Sequence, residues 1–580
     1  MARPRIIVVG GGLAGLMTTI KAAELGAAVD LFSIVPVKRS HSVCAQGGIN
    51  AAKNRKGEGD HPDIHFDDTI YGGDFLANQP PVRDMCYAAP GLIDLLDRMG
   101  VPFNRTPEGH LDYRRFGGTL YNRTAFAGAT TGQQLLYALD EQVRRYESEG
   151  LVSKYESWEF LSVVKHGDGR VVGITAIFMP DMSISYFRAD AVVMATGGPG
   201  IIFGKSTNSY INTGAAASRC YQQGAVYANG EFIQVHPTAI PGEDKLRLIS
   251  ESCRGEGGRV WVYRDGKPWY FLEERYPRYG NLVPRDIASR EIFKVCVDEG
   301  LGVDGKNVVY LDLTHLPAER LTERLGGVLE IYEKFVGEDP RKVPMKIFPG
   351  MHYSMGGLWI DYEHQTNLKG LFAVGEVDYQ YHGANRLGAN SLLSCLHGGM
   401  VAARAAVRYA EGISPAEAEA PPSVFAGEQQ RQVEIFEGIY RMSGSENPYR
   451  IGGELGEWMT NNCTIIRHND RLRQTDEKLM ELLDRWERIG VSDASRVYNE
   501  YVLRTRQVRD MIVLARVICL GALRRDESRG AHYKPEFPER NDAEWLKTTL
   551  ARFTPEGPRL GYEEVDTSLI APRARVYTEK

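Results

Sequence analysis

Four stretches of the chain carry histidine or arginine that could take part in chemistry, three of them beside glycine. The first is Arg39-Ser40-His41-Ser42-Val43-Cys44-Ala45-Gln46-Gly47-Gly48. A neutral imidazole is a nucleophile, so His41 could bond covalently to an electrophilic group held nearby. The second is Gln234-Val235-His236-Pro237-Thr238 with Ser250-Glu251-Ser252-Cys253-Arg254-Gly255-Glu256-Gly257-Gly258, and the third is Pro284-Arg285-Asp286. The fourth joins Met351-His352-Tyr353-Ser354-Met355-Gly356-Gly357 to His382-Gly383-Ala384-Asn385-Arg386-Leu387-Gly388-Ala389-Asn390-Ser391-Leu392-Leu393. Arginine grips a carboxylate with two parallel hydrogen bonds, and histidine adds donors. Taken singly, each such side chain is more often a surface or ion-pair residue. Their recurrence beside glycine, at expected domain junctions, points to a pocket for an anion. The chain's net charge is −6, so a local cationic cluster would stand out and focus that anion.

The elements that must position these groups begin with a short β-branched run, Ile6-Ile7-Val8-Val9, as expected for a strand buried on both faces of a parallel sheet. It enters Gly10-Gly11-Gly12-Leu13-Ala14-Gly15, then a helical pattern over 16–25 and a second strand over 28–32. This βαβ unit carries Gly10-x-Gly12-x-x-Gly15 in its first turn, the dinucleotide-binding arrangement. The first two glycines allow a pyrophosphate to approach, the third lets helix and strand pack, and the helix N-terminus faces the anion. Residues 191–198 and 370–376 read as two further strands, each ending in a glycine turn, of the same α/β domain. That domain is expected to be discontinuous, over 1–238 and 352–412, with an inserted α+β capping domain at 239–351. Residues 411–422 read as a linker. A helical bundle is expected over 424–528, with helices over 424–440, 471–489 and 494–523, followed by a C-terminal tail at 529–580.

With 580 residues, 43% hydrophobic and 25% charged, the composition is that of a globular protein with ample core. The slightly acidic balance argues against a nucleic-acid binder. The eight cysteines are scattered without a C-x-x-C, so neither a zinc site nor an iron–sulfur cluster is signalled, and no metal is expected. They read as thiols in a reducing compartment. Neither of the longest stretches free of charged residues, 6–20 and 387–403, has the continuous apolar length that spans a bilayer. The N-terminus enters the first strand without a signal-peptide pattern.

These motifs, together with Glu527-Ser528-Arg529-Gly530-Ala531-His532-Tyr533, resemble the flavoprotein subunit of succinate dehydrogenase and fumarate reductase over almost the whole chain. The wording is most similar to the Gram-positive bacterial, menaquinone-linked branch. The resemblance implies a Rossmann-like FAD-binding domain and FAD attached covalently by an 8α-histidyl bond to His41. It implies that Gly10, Gly11, Gly12, Leu13, Ala14, Gly15, Ser33, Ser40, Ser42, Gln46, Gly47, Gly48, Glu376, Ser391 and Leu392 bind FAD. His236, Ser250, His352 and Arg386 would hold the two carboxylates of succinate or fumarate. Arg285 would exchange the proton, relayed through Glu251 and Arg254. Ser250 stands where relatives often have Thr, and Ala215 where many have an acid near FAD. Implied partners are an iron–sulfur subunit and a cytochrome b membrane anchor, with this subunit peripheral on the cytoplasmic face of the membrane. Gln46 resembles the dehydrogenases, which favours succinate oxidation. The alternatives are a fumarate reductase running the other way, the soluble relative L-aspartate oxidase, which lacks a histidine at the position of His41, and a non-enzymatic flavin-binding protein.

Overall fold

The computed structural model describes residues 3–413 and 420–578. Its centre is a parallel sheet of five strands in the order Leu371–Ala373, Ala191–Met194, Arg5–Val9, Ala28–Ser33, Val152–Glu156. The strands are apolar on both faces because both are covered. Ile6, Val8, Leu31, Val193 and Phe372 enter a core with helices Leu13–Glu24, Thr131–Ser148 and Ser391–Glu411. Their neighbours Ile7, Val9, Phe32, Val192 and Leu371 enter the opposite core, with an antiparallel meander of Trp158–Lys165, Val171–Phe178 and Ser183–Arg188. The α/β class and the late returning strand are as the sequence indicates.

A six-stranded antiparallel sheet follows, in the order Arg247–Leu248, Ile233–Ile240, Met345–Ser354, Val309–Asp312, Arg259–Arg264, Lys267–Trp269. Helices Arg285–Phe293 and Ala318–Val336 complete its core. The divisions expected after 238 and 351 fall inside the strands Ile233–Ile240 and Met345–Ser354, which pair with each other. Cofactor region and insertion are therefore joined by continuous hydrogen-bonded strands rather than by loops alone.

The helical segment contains Pro422–Tyr440, Asn469–Trp486 and Glu500–Arg524, near the ranges read from periodicity. It also contains Pro448–Asn462, which the periodicity did not reveal. Residues 414–419 of the expected linker lie outside the described residues. The tail carries a hairpin, Lys547–Arg552 with Arg559–Glu564, that pairs with Tyr227–Ala228 and so ties the end of the chain to its middle.

The first turn shows why glycine is needed at its ends. Gly10 has φ +122°, and a Cβ there would lie 2.1 Å from the Ala195 carbonyl oxygen. A Cβ at Gly15 would lie 1.8 Å from the Gly10 carbonyl oxygen, so the helix could not sit on the strand. Gly15→Val is expected to cost about 3 kcal/mol. The check is a lowered thermal midpoint together with loss of flavin from the purified protein; an unchanged midpoint would show that the turn can relax.

Candidate active site

Two connected voids run along the C-terminal ends of the parallel strands. The first, of about 1030 Å³, is lined by Gly10, Gly11, Gly12, Leu13, Ala14, Ser33, Ser40 and Ser42, and extends past Trp158–Phe160 and Ala195–Gly197 to Ala215. Helix Leu13–Glu24 opens on it with Gly12 at its N-cap and no capping side chain. Its Leu13 N–H donates to Ser42 Oγ at 3.2 Å, and its positive end suits an anion. Gly15 stands behind this wall. The second void, of about 1580 Å³, is lined by Gln46, Gly47, Gly48, His236, Ser250, Glu251, Arg285, His352, Arg386, Ser391 and Leu392. His41, Ser42, Glu376 and Cys395 line both, so they form one elongated slot. An anion-binding turn, a buried acid half-way and a second uncapped helix N-terminus at Ser391–Glu411 fit the length and polarity of FAD.

His41 lies in the short turn His41–Cys44 at the junction. Its Nδ1 accepts from the Ser209 backbone N–H at 3.2 Å, and Nε2 lies 3.1 Å from the Asn208 side-chain amide. Desolvation, with Lys245 adding repulsion, pushes its pKa down to about 4, so the ring is neutral at pH 7. Glu376 accepts from the Ser354 N–H at 3.0 Å, and burial raises its pKa to about 7.

The substrate-side wall is built by the two strands shared with the insertion. Gln234 pairs with Tyr353 and Val235 with Met351, so His352 is the extra residue of a β-bulge that re-aims the strand. The His236 and His352 rings meet edge to face with centroids 4.9 Å apart. Both are held well below the ordinary imidazole pKa by burial and by the Arg285 guanidinium. His236 Nδ1 accepts from the Thr238 N–H at 3.2 Å, which leaves Nε2–H to donate. His352 Nδ1 lies 2.7 Å from Thr207 Oγ1. Ser250 Oγ accepts from the Ser252 backbone N–H and Oγ, so its own proton is free to donate.

Arg386 is 2% exposed; its guanidinium lies 4.4 Å from the Tyr353 ring centre and forms no hydrogen bond or ion pair with the described residues. Burial, reinforced by Arg285, lowers its pKa to about 9. Beside it Arg285 donates from Nε to Glu251 Oε2 at 2.8 Å, with Nη2 at 2.7 Å from the same oxygen and Nη1 on Gln234 Oε1 at 3.1 Å. Glu251 binds Arg254 through its other oxygen. Burial alone would raise the Glu251 pKa, but Arg285 and Arg254 hold it below the usual carboxylate value. Arg254 does not line the void; its Nη1 donates to the carbonyls of Asn281 at 2.7 Å and Val283 at 3.2 Å. The three residues form a row leading from the void into the insertion.

Several contributors have no role assigned from the sequence. Asn208 and Ser209 hold His41, Thr207 holds His352, and Gln234 holds Arg285. Arg114, 1% exposed and 4.0 Å from the Phe126 ring, donates to the carbonyls of Gln46 and Gly47 and fixes that wall. The polar run Ser206-Thr207-Asn208-Ser209 beside Gly204 was the available signal for the first three.

Residues 5–392 match the FAD binding domain family, and residues 453–577 match the fumarate reductase flavoprotein C-terminal family. The chain is 66% identical to the succinate dehydrogenase flavoprotein subunit of Bacillus subtilis, covering 100% of this chain and 99% of that protein. It belongs to the succinate dehydrogenase and fumarate reductase flavoprotein family. Among solved members, an E. coli quinol fumarate reductase superposes with a TM-score of 0.93 at 33% identity, covering 100% of this chain and 99% of that one. Mycobacterium smegmatis Sdh1 in complex with UQ1 superposes with a TM-score of 0.83 at 28% identity, over 99% and 96%. As a member of this family the chain is an FAD-dependent oxidoreductase. Among the described residues no helix is long and apolar enough to cross a membrane, and no group of three or more His, Cys, Asp or Glu could hold a metal ion.

The charge states set a pH dependence. His236 and His352 are neutral through the physiological range and add no changing charge, but Glu376 on the same void, with its pKa raised to about 7, ionises there, so affinity for a dicarboxylate such as malonate should weaken modestly through pH 7. Above about pH 9 Arg386 loses its proton, and affinity should fall about tenfold per pH unit. Calorimetric titration with malonate checks this; an affinity undiminished above about pH 9 would take the binding charge away from Arg386.

Proposed function

We propose that this chain oxidises succinate to fumarate as the flavoprotein subunit of a succinate:quinone oxidoreductase, with FAD bonded covalently to His41. The observation that carries the reading is the unpaired, buried Arg386 beside the Arg285–Glu251–Arg254 row, on the void that His41 enters. Arg386 would grip one carboxylate with its fork, while His236, His352 and Ser250 donate to the oxygens that remain. FAD, when bound, takes up the two electrons as a hydride equivalent.

The proton from the adjacent carbon falls to Arg285. Arginine is a poor base in water, with an ordinary pKa above about 12. Here its Nε and Nη2 already touch Glu251 Oε2, so a proton arriving at the guanidinium can leave in concert for the carboxylate. Glu251 then holds that proton on Oε2; onward relay through Arg254, whose Nη2 lies on Oε1, has Arg254 release a proton as it takes one up, so no free neutral guanidine accumulates. Polarising the carboxylate with Arg386 also stabilises charge that builds at the reacting carbon.

For the covalent bond the Ser209 N–H is the orienting contact. It uses the Nδ1 lone pair, which assigns Nε2 to the alkyl substituent. With Nδ1 accepting, the neutral ring carries its proton on Nε2, and that proton must leave as Nε2 bonds to carbon; the low pKa of His41 keeps the ring from holding a second one. Electrons would pass to an iron–sulfur subunit and on to menaquinone through a cytochrome b anchor, on the cytoplasmic face of the membrane. The solved relative with UQ1 supports a quinone-linked assembly. Gln46, which donates to the Leu248 carbonyl at 3.1 Å from the wall of the same void, accords with the dehydrogenase direction.

A succinate-dependent dye-reduction assay tests the activity. Arg285→Lys should lower turnover by about 10²- to 10⁴-fold with flavin content unchanged. An undiminished rate would remove Arg285 from the proton path. His41→Ser should move all flavin from the acid precipitate to the supernatant, and impair succinate oxidation more than fumarate reduction. Flavin fluorescence in the wild-type pellet is the control; its absence there would refute covalent attachment.

A further inference from the structure

A third cavity, of about 1310 Å³, lies between helix Ala215–Gln222 and the helical segment, away from the substrate void. Arg219, Arg431, Arg506 and Arg509 line it, with Trp486 and Phe553. Three of the four guanidiniums have polar partners. Arg219 binds Asp510 at 2.7 Å and Glu159 at 2.8 Å, Arg431 binds Glu428 at 2.6 Å, and Arg509 donates to the Gln222 side chain at 3.2 Å. Arg506 is different. It is 8% exposed, and its guanidinium forms no hydrogen bond or ion pair with any described residue; it lies 5.1 Å from the Phe436 ring, with the Asp510 and Glu159 carboxylates, both bound to Arg219, acting on it through space. Its Nη1 is buried without a partner, as is Nη2 of Arg219. A buried cation left without hydrogen-bond acceptors costs several kcal/mol unless something supplies them. Burial, with Arg219 adding to it, lowers the Arg506 pKa to about 9, which still leaves it charged at pH 7.

We propose that this cavity is a second anion site, taking a small phosphate- or carboxylate-bearing metabolite on the free N–H groups of Arg506 and Arg219. Oxyanions satisfy guanidinium forks in pairs, and the Phe436 and Trp486 rings against Arg506 and Arg509 hold the cations in place for them. Glu434 and Glu487 also line the cavity but stand exposed, where solvent screens them. The site differs from the substrate void in having no residue in common with it. It does share Arg219 with the first void, the slot beginning at the Gly10–Ala14 turn. Occupancy would thus stiffen the join between the helical segment and the far end of that slot.

The test titrates the purified holoenzyme with inorganic phosphate, and in parallel with citrate, at ionic strength held constant with chloride. A saturable rise of about 2 °C in thermal midpoint is expected at a hundredfold excess over Kd, with the KM for succinate unchanged. The anion that acts at lower concentration gives the class. Arg506→Met should abolish the rise, melt no lower than wild type without anion, and keep basal turnover. Arg506→Lys, which keeps the charge but not the fork, should weaken the response at least about tenfold. No saturable rise with either anion, or an undiminished response in Arg506→Met, would overturn the proposal.

Discussion

A cluster of guanidiniums around a single carboxylate governs this molecule. Glu251 lies between Arg285 and Arg254, and Arg386 stands beside them with no counter-ion of its own. Burying one unpaired cation costs several kcal/mol, so the void carries a standing demand for negative charge. A dianion answers it. Burial, with the neighbouring guanidiniums adding repulsion, keeps His236 and His352 neutral. Neutral rings donate without adding charge, which lets the pocket bind an anion without holding its product too tightly.

That cluster draws on two sheets. The parallel sheet and its helix N-termini supply a place for a pyrophosphate and a ring system, but few side chains that recognise a substrate. The antiparallel sheet supplies His236, His352 and Gln234 from paired strands, with Arg285 at the start of the helix packed beneath them. Two irregularities aim them. His352 sits at a bulge, and the second register shift falls at Pro237 and Thr238, where proline has no N–H for the ladder. Because strands Ile233–Ile240 and Met345–Ser354 continue from one region into the other, the histidines keep their position relative to the slot. Salt bridges such as Arg324 with Asp112 fasten the remainder of the insertion across the gap.

The parallel-sheet half was legible because its signals are local. The strand–glycine–helix order of residues 6–25 encodes its own geometry, and His41, His236, His352, Arg285 and Arg386 each stand near a residue that bends or frees the backbone. What stayed hidden depends on distant contacts. Asn208 reaches His41 across 167 positions, and nothing in its neighbours marks that destination. The hairpin Lys547–Arg552 pairs with Tyr227–Ala228, and Asn229 accepts from the Thr549 N–H; in a segment rich in proline and polar residues the strand is stabilised by a partner some 320 positions away. Domain edges were hard for a related reason: a strand that serves two regions shows no change of composition where one ends.

Glycines around the relay extend this logic to proton movement. A Cβ at Gly117 would lie 2.0 Å from Glu251 Oε1, and one at Gly388 would lie 2.7 Å from Oε2. Both oxygens of the carboxylate are thus flanked by positions where only hydrogen fits, in the otherwise close-packed junction of the two regions. This space lets Glu251 face Arg285 and Arg254 at once, one oxygen for each, which a carboxylate pushed aside by a methyl group could not do. The proton route is therefore defined as much by the side chains left out as by those present. The proposed route would lead away from His41 into the insertion, so protons would leave by a path separate from the slot proposed for the ring. Separating the two keeps each carrier fixed while the other moves, and a relay of charged groups in contact needs no water beside the reduced ring.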